Sequence, residues 1–194
     1  MQYGAYRFSI WVISAQLGMK EIGIFGMWLT VCDALWLIPN ALANVNLAYA
    51  SKTNYKLATL THFLMFALLL VFFMVLTILL IPNGWYVNIL GKDFNELKNL
   101  IRIASPVIVG FTITIIIAYY FSGKGLIKYN TIGSGAGFLA ILLLSNYLTA
   151  KHGLKGAVLA NSISYATSIL VMLFLFLRHK KKLKVNQTPR SLLN

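Results

Sequence analysis

Residues 57–91 read LATLTHFLMFALLLVFFMVLTILLIPNGWYVNILG, 35 positions without a lysine, arginine, aspartate or glutamate. A hydrocarbon core of about 30 Å is crossed by roughly 20 helical residues, and a helix satisfies its own backbone where lipid cannot. The stretch is long enough to span, and Pro82, Asn83 and Gly84 mark where its helix stops. Working outward, 103–123, 129–150 and 156–177 are further uncharged runs of 21, 22 and 22 residues. Residues 22–51 add another, broken only by Asp33. The chain therefore reads as an all-α polytopic membrane protein.

Composition agrees. Of 194 residues 59% are hydrophobic and 11% charged, with a mean hydropathy of +0.75, against roughly 25% charged residues in soluble domains. The net charge of +13 would suggest nucleic acid in a soluble protein. Here the cations sit in loops and a tail between apolar spans, so no nucleic-acid partner is expected. Cys32 is the one cysteine, which leaves no disulfide framework and no thiolate metal site.

Six helical segments are expected, at about 5–17, 23–48, 57–81, 97–121, 128–150 and 155–177, forming a membrane domain over 1–178 with a basic tail at 179–194. The longest loop runs from about Pro82 to Glu96, with Trp85 and Tyr86 at interfacial depth. When these segments alternate across the bilayer, eleven of the 17 cations fall on one side: Arg7, Lys52, Lys56, Lys124, Lys128 and the six between Arg178 and Arg190. The other side has Lys20, Lys92, Lys98, Arg102, Lys151 and Lys155, together with Glu21, Asp93 and Glu96. By the positive-inside rule the eleven-cation side and both termini are cytoplasmic, in the cell (inner) membrane. The first segment is short for a span and carries Arg7, Ser9, Ser14 and Gln16. A helix that needs neighbours to cover it suggests a piece of a larger transporter or a subunit of a split one.

Asp33 is the only acid inside a span, where a charge costs several kcal/mol unless paired or hydrated. At about 100° per residue, Asn40 and Asn44 fall within about 20° of it and Thr30 about 60° away, one polar stripe on an apolar helix. That face either lines a wet cavity or packs through hydrogen bonds. Pro39 interrupts the stripe and is a candidate kink or gate. Arg7 either snorkels to the interface or projects into a cavity toward an anion. Asn161, Ser164, Tyr165 and Ser168 recur at helical spacing in the last segment, as do Ser105 and Thr112 in the fourth, which suits interhelical hydrogen bonding as well as a solvated path. Gly133 with Gly137, and Gly156 with Ala160, are small pairs that let helices approach closely. The GSGAG run at 133–137 lacks the preceding strand and GxxxxGK pattern of a phosphate loop. Three scattered histidines and four acids leave no metal site, cofactor site or acid/base pair, so an enzyme is not expected.

Four stretches carry a family resemblance. GIFGMWLTVCDALWLIPNAL at 23–42, GKDF at 91–94, YFSGKG at 120–125 and GLKGAVLANSISY at 153–165 resemble, in this order, the later half of polysaccharide and O-antigen exporters. The resemblance implies the multidrug/oligosaccharidyl-lipid/polysaccharide exporter superfamily, two six-helix lobes alternating access around a central cavity, with this chain as the C-terminal lobe. It implies a flippase for lipid-linked oligosaccharide precursors, partnered by membrane lipids and an N-terminal lobe or second subunit. Arg7 then matches a cavity cation that meets the substrate diphosphate, although Phe8 and Ser9 stand where an acid often follows. Asp33 matches a commonly acidic position before the Leu-Trp pair. Alternatives are a cation-coupled multidrug exporter on the same scaffold, with Asp33 as coupling site, and a non-transporting half that is a remnant or assembly partner.

Overall fold

The computed structural model describes residues 2–52 and 55–187 of the protein. Among them the regular structure is helical throughout: α1 (Gln2–Gln16), α2 (Met19–Ala50), α3 (Leu57–Leu80), α4 (Asn83–Leu90), a 3-10 turn at Lys92–Glu96, α5 (Leu97–Gly123) and α6 (Ile127–Gln187). Four helices are long and apolar enough to cross a membrane, namely α2, α3, α5 continued back to Lys92, and α6 up to Lys182. At 15 residues α1 reaches about 22 Å, short of a hydrocarbon core.

α6 is not one rod. Gly153 adopts φ +58° and ψ −139°, a backbone that L side chains rarely take, and divides it into arms at 127–152 and 154–187. The arms run back along each other: Ser164 Oγ donates to Gly137 O at 2.7 Å, and a Cβ on Gly133 would strike Met172. The reversal lies between the segments expected at 128–150 and 155–177. The tail differs from expectation in that the second arm stays helical to Gln187, and 188–194, including Arg190, fall outside the described residues.

α5 is the central helix and packs against α2, α3 and α6. Leu97, Leu100, Ile101, Ala104, Ile108, Phe111 and Ile115 recur at helical spacing and are all buried. Pro106 lies inside α5 and removes one backbone donor; Ser105 Oγ donates to the Arg102 carbonyl, the acceptor that proline deprives, at 2.8 Å. α3 instead buries only Leu60, Ala67, Val71 and Val75, leaving Phe66, Leu69, Phe72 and Phe73 exposed. Such a helix suits the rim of a bundle in lipid, since acyl chains solvate those side chains as well as a core does.

The expected loop at 82–96 contains α4 and the 3-10 turn. Asn83 Nδ2 donates to Asn95 Oδ1 at 2.8 Å, and the Tyr86 hydroxyl donates to Ile78 O at 2.7 Å, which ties α4 back to α3. Trp85 and Ile89 stay outward and exposed. Burial pushes the Tyr86 phenol above its ordinary pKa. The connections gather at two ends. Lys20 pairs with Asp93 at 2.5 Å at one, and Lys124 Nζ donates to Lys52 O at 3.3 Å at the other.

Candidate functional site

A cavity of about 650 Å³ opens between α2, α5 and both arms of α6. The 3.6-residue repeat of α2 turns Asp33, Trp36, Leu37 and Asn40 toward it. α5 supplies Phe111, Thr114, Ile115, Ala118 and Tyr119. The first arm of α6 gives Asn130, Ser134, Gly137 and Phe138, and the second gives Ser164, Tyr165, Ser168 and Met172. Among the described residues Asp33 is the only charged side chain on this wall.

The aromatic part is a triangle. Trp36 meets Phe111 at 4.9 Å and Tyr165 at 5.3 Å between ring centroids, and Phe111 meets Tyr165 at 4.8 Å. Trp36 is pinned by its indole N–H, which donates to Ile108 O at 3.0 Å. One turn on, Asn40 Nδ2 donates to Trp36 O at 2.8 Å, bracing α2 next to buried Pro39. The polar part faces it from α6. Asn130 Nδ2 donates to Ala118 O at 2.8 Å and to Ser122 Oγ at 2.9 Å, while its buried Oδ1 has no partner among the described residues, nor has the buried Thr114 Oγ1. The carboxylate of Asp33 and the side-chain hydroxyls on this wall give it groups that can accept hydrogen bonds.

Of the residues singled out in the sequence, Asp33 and Asn40 come together on this wall. Asn44 is exposed further along α2, and Arg7 is exposed on α1; neither lines the cavity. Pro39 is buried within α2, which runs as helix from Met19 to Ala50. In the last segment the polar series divides: Ser164, Tyr165 and Ser168 reach the cavity, whereas Asn161 Nδ2 donates to Ser9 Oγ at 3.0 Å and fastens α1 to α6. Thr112 is buried outside the cavity. Sequence reading missed Thr114, Tyr119, Asn130 and Ser134. For Asn130, Ser134 and Gly137 a signal existed, a small polar series at i, i+4 and i+7 of one helix face. Among the described residues no three His, Cys, Asp or Glu side chains gather to hold a metal ion, and Cys32 is buried in the core.

No protein-family model, curated protein or solved structure matches the chain. The functional reading therefore rests on the residues and their geometry.

Proposed function

We propose that this chain is one lobe of a membrane transporter, a flippase that carries lipid-linked oligosaccharide from the cytoplasmic leaflet outward without changing any covalent bond. The observation that carries the reading is the cavity itself. Inside an apolar bundle, about 650 Å³ is walled by a carboxylate, amides, hydroxyls and an aromatic triangle. Hydroxyl-rich ligands are held by this combination, with side-chain acceptors taking sugar hydroxyls and ring faces covering the C–H faces of the sugar. A lone packing defect in lipid would be apolar and dry.

In this reading the bundle crosses six times, with α1 completed by its neighbours and each arm of α6 counted as a span. The end holding Lys52 and Lys124 is cytoplasmic, and a complementary lobe closes the polar face of α2. Because Asp33 is the only charge on the wall among the described residues, the cations that meet the diphosphate come from that second lobe. Rocking of the two lobes switches access.

The same lone carboxylate favours a second reading, a cation-coupled exporter of cationic drugs in which Asp33 alternately binds substrate and the coupling ion. Complementation separates them. A flippase-deficient strain given this chain with an N-terminal lobe should regain surface glycan, and the chain alone should not. Glycan restored without any second lobe contradicts the one-lobe reading. Drug resistance that Asp33→Asn abolishes, with no glycan restored under either condition, selects the exporter.

A further inference from the structure

One end of the bundle carries cations from three separate chain segments: 52–56, 124–128 and 178–182. All four acids of the chain lie elsewhere, Glu21, Asp93 and Glu96 at or near the opposite end and Asp33 within α2. The geometry is more definite than a scatter of flexible lysines. α2 and α5 meet so closely here that a Cβ on Gly123 would clash with Ala50 and with Leu47 O. That approach brings Lys124 Nζ to the Lys52 carbonyl. Three ammonium groups are then parked over tyrosine rings: Lys52 over Tyr49 at 5.0 Å, Lys124 over Tyr55 at 5.5 Å and Lys128 over Tyr129 at 5.7 Å. Buried Asn46 accepts the Tyr55 hydroxyl at 2.5 Å and fixes that ring.

We infer that this end is a docking site for the headgroup of an anionic phospholipid, with Lys52 and Lys124 as the paired cations. In a membrane-spanning bundle this end meets the headgroup layer, where tyrosine rings are at home. Each ring shields one side of an ammonium from water and costs it hydration, so its remaining donors are better placed for a phosphate oxygen than those of a fully solvated lysine. Among the described residues no carboxylate stands near enough to compete. The inference needs only the membrane-spanning fold and is independent of what the cavity transports.

The test is native mass spectrometry of the full chain, released from nanodiscs of phosphatidylcholine containing one part in five phosphatidylglycerol. The wild-type chain should retain phosphatidylglycerol and shed phosphatidylcholine. Lys52→Gln with Lys124→Gln should weaken retention about 30-fold, from about fivefold per charge near an anionic surface. Lys151→Gln with Lys155→Gln, at the opposite end, should leave it unchanged even though Lys151 also lies over a ring, Tyr147 at 5.8 Å, because no second ring-backed cation is paired with it there. Lys52, Lys151 and Lys155 are exposed and Lys124 is half-buried, and matched thermal melts verify folding of both pairs. Equal loss from the two pairs, no loss from the first, or equal retention of phosphatidylcholine overturns the site.

Discussion

Trp36 joins three features of the cavity wall, so its removal should reveal whether that wall is a packed and specific construction. Trp36→Phe removes the indole N–H donated to Ile108 O but keeps a ring against Phe111 and Tyr165. The Ile108 carbonyl lies inside α5 and keeps its helical donor, so the cost is one ordinary hydrogen bond, about 1 kcal/mol. Trp36→Ala also removes two aromatic pairs, each worth about 0.5–1.5 kcal/mol. Acyl chains are as apolar as the core, so little transfer free energy is added, and the total comes to about 2–4 kcal/mol. Unfolding in mixed micelles of mild detergent and dodecyl sulfate gives the comparison, with Trp85→Ala as the control because Trp85 is 62% exposed against 2% for Trp36. The expected order is Trp36→Ala well below Trp36→Phe, and Trp85→Ala near wild type. If Trp36→Ala costs no more than Trp85→Ala, the aromatic triangle does not hold α2, α5 and α6 together.

Three further outcomes are expected. Gly137→Val places methyl groups where Ser168 Oγ and Ser164 O sit and should destabilise by about 1–3 kcal/mol, whereas Gly23→Ala, with open space around it, should be close to neutral in the same unfolding assay. A double-mutant cycle of Ser9→Ala with Asn161→Leu should show coupling of about 0.6–1.7 kcal/mol, and independence of the two sites would mean that α1 is fastened by other contacts. In a Cys32→Ala background, single cysteines at Asp33 and Asn44 should react with a water-soluble maleimide in detergent-free membranes, while cysteines at Phe66 and Phe72 should not; the reverse pattern would place lipid on the polar face of α2.

Helix positions were legible because charges punctuate the long apolar runs. The gaps at 52–56, 92–102, 124–128 and 151–155 fall at or beside helix ends. Asp33 and Asn40 were legible as a pair because both lie on one helix, where the 3.6-residue repeat alone fixes their relation. The rest of the wall depended on how α5 and α6 rotate against α2. Thr114 and Asn130 each look like an isolated polar residue in an apolar run until Trp36, anchored to Ile108 O, sets the facing register of α2 and α5. Asn161 shows the converse. Its spacing put it with Ser164 and Ser168, yet the cavity is open to those and closed at Asn161 by the close approach of α1. The helix at Asn83–Leu90 was hidden because Pro82 and Gly84 read as breakers, while a proline just ahead of a helix is also a favourable start.

The exposed side of α2 gives the strongest reason to expect a counterpart. Thr30, Asp33, Ala34, Leu37, Ala41, Asn44 and Ala48 are exposed and recur every three or four residues, so they form a single seam along a helix long enough to span. α3 exposes an equally long seam, but of Phe66, Leu69, Phe72 and Phe73, which acyl chains cover without penalty. Lipid against the α2 seam would have to accommodate a carboxylate and an amide at bilayer depth, at several kcal/mol for the charge alone. Water entering the cavity would relieve that cost on the side that faces Asn40, Thr114 and Asn130. On the open side the small side chains at positions 34, 41 and 48 leave room for another helix to approach closely. In the proposed one-lobe reading, this partly polar seam with its small side chains is the surface on which the second lobe closes, with Asp33 then enclosed between two walls.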